Sequence, residues 1–165
     1  MRGLINFFKR PTGQFVAIAL FIAGVSYAAR LVYVDQPKAE EEALARSGRD
    51  RIGELANVLI EQASAAQDQD AYLNGLPTRT AWFPADLPCG ASTRISSDPF
   101  WNGLGLKPGE ASAYQYRFER DTGSFVIRTR RDRDCDGLYV VHHVNGTITW
   151  PRGFVGAVES QNIGE

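Results

Sequence analysis

Cysteine and histidine are scarce in this chain: 165 residues hold two of each, Cys89 and Cys135, His142 and His143. Two cysteines exclude a disulfide-dense miniprotein. Their spacing excludes a CxxC redox pair, a zinc pair acting alone and a haem-attachment motif. Adjacent histidines on a strand point to opposite faces, so they do not easily chelate one metal together. A phosphate-binding loop and a dinucleotide fingerprint are also missing. No nucleophile and base are advertised, so the expectation is a protein that is not an enzyme and has no catalytic residues. A net charge of -1 and a pI near 6.1 leave the chain as a whole without a footprint for nucleic acid.

The near-neutral total hides a segregation along the chain. Residues 1–34 carry Arg2, Lys9, Arg10 and Arg30 and no acid, whereas residues 35–165 carry 14 basic and 19 acidic residues. The basic flank precedes an apolar run from Phe15 to Ala29 that resumes, after Arg30, at Leu31–Val34. Twenty residues of helix cover about 30 Å, the thickness of a hydrocarbon core. Phe15, Ile18, Leu20, Phe21, Ile22, Val25, Tyr27 and Leu31 are the expected membrane-spanning side chains. Tyr27 and Tyr33 suit a headgroup belt, and Arg30 can snorkel to the interface. Lys9 and Arg10 predict a cytoplasmic amino terminus and an exported remainder. Two alternatives stand beside this signal anchor. Ser26-Tyr27-Ala28 has small residues spaced for signal-peptidase cleavage. A basic leader ending at Gly13 has the layout of a prepilin leader, although Gln14 and Ile18 stand where such leaders usually place Phe or Met and Glu.

Asp35-Gln36-Pro37 is expected to break the first helix and start a second, running to about Gln69. Leu44, Ile52, Leu55, Leu59 and Ala63 recur at helical spacing and form one apolar stripe. Such a stripe covers the chain's own sheet or docks on a partner helix. Residues 70–112 are rich in Pro, Gly, Ser and Asp and read as an irregular connection whose aromatics pack on the core. Beyond it the pattern alternates. Tyr114, Tyr116 and Phe118 fall on one face, Phe125 and Ile127 on one face of the next strand, and Leu138–Val141 forms a third. Asn145-Gly146 reads as a hairpin turn into a fourth strand over Thr147–Trp150, and Pro151 demotes the residues after it to an edge or tail. The expected fold class is α+β. A transmembrane helix (residues 1–34) precedes an amphipathic helix (35–69). That helix packs on an antiparallel sheet of about four strands within an exported domain (70–165).

In exported sequence Cys89 and Cys135 are expected to pair. Asp132, Asp134, Asp136 and Gly137 match the opening of a calcium loop, D-x-D-x-D-G. Hard carboxylate oxygens could hold Ca2+ there, although His143 stands where an EF-hand needs Glu. Arg128, Arg130, Arg131 and Arg133 interleave with these acids and read as a solvated charged hairpin.

Four stretches in order, Asp98-Pro-Phe-Trp-Asn-Gly-Leu-Gly-Leu106, Tyr114-Gln-Tyr-Arg-Phe118, Gly123-Ser-Phe-Val-Ile127 and the acidic turn Asp132–Gly137, resemble the globular part of pilin-like and pseudopilin proteins of Gram-negative bacteria. The layout of a long amino-terminal helix, an irregular connection and an antiparallel sheet is similar too. The resemblance implies a single-pass protein of the inner membrane with a periplasmic pilin-like domain. It also implies Asp132, Asp134 and Asp136 as candidate calcium ligands. The expected role is an accessory subunit, in contact with the lipid bilayer and docked on an integral membrane protein complex. That complex would be a secretion or pilus machine, or a respiratory or photosynthetic assembly. The alternatives are a minor pilin or pseudopilin processed after Gly13 and a secreted periplasmic calcium- or ligand-binding module.

Overall fold

The computed structural model describes residues 11–148 and 153–164; the side chains of residues 11–19, 34, 37 and 162–164 are not part of that description. The chain divides into two compact units, Met1–Ala45 and Arg46–Glu165.

The first unit contains helix α1 (Pro11–Arg30), a π-helical turn (Leu31–Asp35) and the start of helix α2 (Gln36–Ala65). The expected break at Asp35-Gln36-Pro37 does not occur. Arg30 and Gln36 both keep helical dihedrals, and the Gln36 N–H bonds to the Leu31 carbonyl five residues back. A proline has no N–H to give, and a proline ring inside a helix crowds the carbonyl four residues earlier. The wide turn inserts one residue just ahead of the proline and re-spaces those carbonyls, so the helix continues. Arg30 Nε lies 3.8 Å from Asp35 Oδ2 across this turn. Leu20, Phe21, Ile22, Val25, Tyr27 and Leu31 are exposed, while Phe15 and Ile18 lie outside the described side chains. Among the described residues no helix is long and apolar enough to cross a membrane, so the span expected over 15–34 is not found there.

The second unit is α+β. Strands β3 (Gln115–Asp121), β4 (Ser124–Asp132), β5 (Leu138–Thr147) and β6 (Phe154–Gly164) form an antiparallel meander in sequence order. Short strands β1 (Thr93–Arg94) and β2 (Ala111–Ser112) pair with each other. Two short helices, α3 (Gln69–Gly75) and α4 (Pro99–Gly103), interrupt the connection that the composition had left irregular. Each has an Asp cap, Asp68 accepting from Ala71 N and Asp98 from Trp101 N, and α4 opens on Pro99.

The register sorts the sheet into two faces. One carries the rows Phe118, Ile127, Val144, Val158 and Tyr116, Thr129, His142, Ser160. Ile52, Leu55, Ala56, Leu59 and Ala63 of α2 join the first of these rows in a single buried cluster with Trp101, Leu104 and Leu106. Burying a Leu or Ile side chain contributes about 1.5–3 kcal/mol. Ile52, Leu55 and Leu59 are therefore committed to the chain's own core and are not available as a partner-helix face. Of the five residues of the stripe, only Leu44 is exposed.

The fourth strand is not the expected one. β5 runs straight through Asn145-Gly146, and the ladder to β6 shifts register between Val144 and Gly146. A Cβ on Gly146 would stand 2.2 Å from Phe125 Cζ. The glycine is there for the close approach of that ring, at a bulge rather than a turn. The partner strand lies past Pro151, at 154–164, and Gly164 pairs with Leu138. Thr149, Trp150 and Pro151 lie outside the described residues.

Candidate functional site

Three clusters could carry function, and the first is the acidic turn. Strand β4 ends at Asp132 and β5 begins at Leu138, leaving a five-residue loop that must reverse the chain. Cys135 and Gly137 adopt positive φ, 64° and 79°, to do so. Asp132 Oδ1 accepts from Cys135 N at 2.9 Å, and Asp136 Oδ1 accepts from Leu138 N at 2.8 Å. Cys135 is bonded to Cys89, with Cα atoms 5.6 Å apart, so the expected staple is present. It ties the connection at Pro88–Gly90 to the turn, where Gly90 N also donates to Asp132 O at 3.1 Å. One oxygen from each of Asp132, Asp134 and Asp136 can be grouped within 4.8 Å, so the structure brings the three expected ligands together. Two of the carboxylates already organise the loop's own backbone, Asp136 as an Asx turn and Asp132 by a bond three residues on. A cleft of about 50 Å³ opens beside the loop, lined by Cys89, Gln115, Arg131, Asp132 and Tyr139.

The second cluster lies on the core face of the sheet. His142 is 2% exposed, and its Nδ1 is 2.8 Å from Ser160 Oγ. Its Nε2 is buried with no hydrogen-bond partner among the described residues, as is the hydroxyl of Thr129 directly opposite on β4. The Tyr114 ring lies 5.9 Å from the imidazole. Burial, and secondarily the charge of Arg49, push the His142 pKa below the ordinary 6.5. The native state therefore binds this proton less readily than the unfolded chain does. Stability from this site is complete above about pH 6.5 and is lost as pH falls toward the depressed native pKa. Between about pH 7 and pH 5 the melting temperature is expected to fall, and His142→Gln is expected to flatten that part of the profile. An unchanged slope in H142Q would assign the acid sensitivity to other groups.

The third cluster, on the opposite face, was not foreseen. Arg117 of β3, Arg128 of β4, His143 of β5 and Glu159 of β6 form one row across all four strands. Glu119 meets three guanidinium groups: Arg117 Nε at 2.9 Å, Arg79 Nε at 3.2 Å and a hydrogen bond from Arg128 Nη1. Arg130 lies between two rings, 4.5 Å from the centroids of both Trp82 and Tyr139, while its Nε donates to Gln115 Oε1 at 2.9 Å. The signal in the sequence was the alternation of β4, which puts Arg128 and Arg130 on one face and Arg131 on the other. Reading 128–133 as one cluster of arginines merged the two faces.

No family model matches the chain, and no curated protein or solved structure is significantly similar to it.

Proposed function

We propose that the chain is a non-enzymatic, single-span accessory subunit of the inner membrane. In this reading the amino terminus is cytoplasmic. The stapled α+β unit is a pilin-like periplasmic domain that docks on a larger membrane protein complex. The observation that carries the anchor is the exposure of Leu20, Phe21, Ile22, Val25 and Leu31. At 100° per residue these side chains spread over about 200° of the helix circumference, a wider apolar face than a water-facing helix carries. A 20-residue helix reaches about 30 Å. The Cys89–Cys135 bridge supports an oxidising compartment for the rest. The basic flank at Lys9 and Arg10 supports the orientation.

The test is to express the full chain in a Gram-negative host and wash the membranes with alkaline carbonate. The protein is expected in the pellet, with the Arg46–Glu165 unit cleaved by protease in spheroplasts. Release into the soluble fraction would overturn the anchor. In mild detergent the native protein is expected to co-purify with its complex, and recovery as a free monomer would overturn the docking role.

A second reading, a secreted calcium-binding module, rests on the grouping of Asp132, Asp134 and Asp136. It predicts carbonate release together with a rise in melting temperature on adding millimolar calcium. Retention in the pellet with no calcium shift rejects it.

A further inference from the structure

Helix α2 first meets the sheet region at Gly48. No described residue of α2 ahead of it is buried, whereas Gly48 is. A Cβ at this position would stand 2.7 Å from Tyr114 Cζ, so the helix backbone lies directly on the Tyr114 ring. That ring lies 5.9 Å from the His142 imidazole. Gly48, Tyr114 and His142 thus form one column from the helix to β5. The imidazole has nowhere to place a second proton. Its Nδ1 is engaged with Ser160 Oγ, and its Nε2 is buried without a partner among the described residues. The polar groups around it are Arg49 on α2, Tyr114 ahead of β3, Tyr116 on β3, Thr129 on β4 and Ser160 on β6. Arg131, the next residue on that face of β4, is hydrogen-bonded to the Tyr114 hydroxyl. Two of these groups are cations and none is a carboxylate. An imidazolium in the closed column is a buried charge without a counterion.

We propose that this column is an acid-operated latch: protonation of His142 drives the Tyr114 ring off the imidazole and parts the Gly48 end of the helix from the sheet. The opening is local because the column is one ring thick. Ser47, Arg49 and Ser160 beside it are all exposed, so displacing Tyr114 brings water to the imidazole. Farther along α2, Leu55 and Leu59 share a core cluster with Phe118, Ile127 and Val144, a row without a titratable group. Acid finds nothing to titrate there. In the open column His142 regains the ordinary pKa near 6.5, above its closed value, so opening takes up a proton. The opening equilibrium therefore grows as pH falls below about 6.5, by up to about tenfold per pH unit. The latch lies within the Arg46–Glu165 unit and does not depend on the accessory-subunit reading. Under that reading, acidity outside the inner membrane loosens the exported unit.

The experiment uses the full chain in detergent with a thiol placed opposite His142, Thr129→Cys, at a position 0% exposed. Its labelling rate with a methanethiosulfonate reagent is divided, at each pH, by that of the urea-unfolded chain, so the ratio reads the opening equilibrium. Between pH 7 and pH 5 the ratio is expected to rise about tenfold, with little dependence on low urea concentrations. Adding His142→Phe keeps a ring against Tyr114 that cannot titrate, and is expected to hold the ratio constant with pH. His143→Gln, on the opposite face, is expected to leave the rise intact. Gly48→Ala is expected to raise the ratio already at pH 7, because its Cβ collides with Tyr114. If Thr129→Cys lacks a cooperative melt, Ser112→Cys, buried and adjoining the Tyr114 backbone, gives the same readout. A ratio that does not rise, an equal rise with His142→Phe, or a rise as steep in urea as global unfolding would each overturn the latch.

Discussion

Replacing both Cys89 and Cys135 with serine is expected to lower the unfolding free energy by about 4 kcal/mol. The bridge closes a loop with a sequence separation of 46, and the chain-entropy relation for a loop of that size gives roughly that figure at 25 °C. Most of the effect arises in the unfolded chain, which gains the freedom the bridge had removed. The folded state keeps other ties at the same place. Gly90 N still donates to Asp132 O, and Asp132 Oδ1 still holds the backbone N–H of position 135 in the double variant. The approach there is close: a Cβ on Gly90 would stand 2.9 Å from Arg133 O. The acidic turn is therefore expected to survive as a loop in the folded variant while the unit as a whole melts earlier. Urea unfolding of the full chain in detergent, followed by near-ultraviolet circular dichroism, measures the loss. A midpoint that moves at constant m reports stability alone. A loss below about 1 kcal/mol would mean that the reduced, unfolded chain already holds the two segments together.

The parts of the fold that obey a period were readable from the sequence. Tyr116 and Phe118, then Phe125 and Ile127, alternate because one face of the sheet is buried, and all four lie in the core. Ile52, Leu55, Leu59 and Ala63 follow the helical period for the same reason. The cysteine pair was readable because a chain with two cysteines has one way to pair them intramolecularly. Two elements were misread where the surroundings overrode a local rule. Pro37 should end a helix, but a single π turn absorbs it. Asn145-Gly146 should turn, but Phe125 fills the space above the glycine. The residues after Pro151 were expected at an edge or in a tail, and β6 is an edge strand of the sheet. For the candidate sites, the three aspartates were visible as a motif, and their grouping comes from a loop of five residues. The arginine face was invisible for another reason. Trp82, Arg130 and Tyr139 are brought together only by the bridge of Phe83 to Tyr116 and by the β3–β4–β5 register.

Trp101→Ala is expected to cost about 3–5 kcal/mol, an effect comparable to loss of the bridge. The sequence around it explains why so large a side chain can be buried in a short connection. Asp98 caps α4, Pro99 presets its first turn, and the helix ends at once as Leu106 N returns to the Trp101 carbonyl at 3.0 Å. The five-residue helix therefore delivers one indole, 1% exposed, into the core. There Trp101 stacks on Phe83 at 6.2 Å, meets Phe100 edge-on at 5.0 Å and lies 6.0 Å from Tyr116. Phe100 continues the chain of rings to Phe118, and Phe118 to Phe125. Each such pair is worth about 0.5–1.5 kcal/mol beyond its buried area. The cavity left by truncation adds to the lost transfer energy, because the β3–β4 pair and helix α2 hold the other walls and cannot collapse inward. Trp101→Phe is expected to recover much of the loss, since it restores a ring to the stack. Phe154→Ala, at a side chain 66% exposed, is expected to change stability by no more than about 0.5 kcal/mol. The same urea titration separates the three variants. A Trp101→Ala loss below about 1 kcal/mol would show that α4 is not part of the cooperative core. Residues 84–112 would then be a connection that merely lies on the sheet, against the expectation that their aromatics pack on the core.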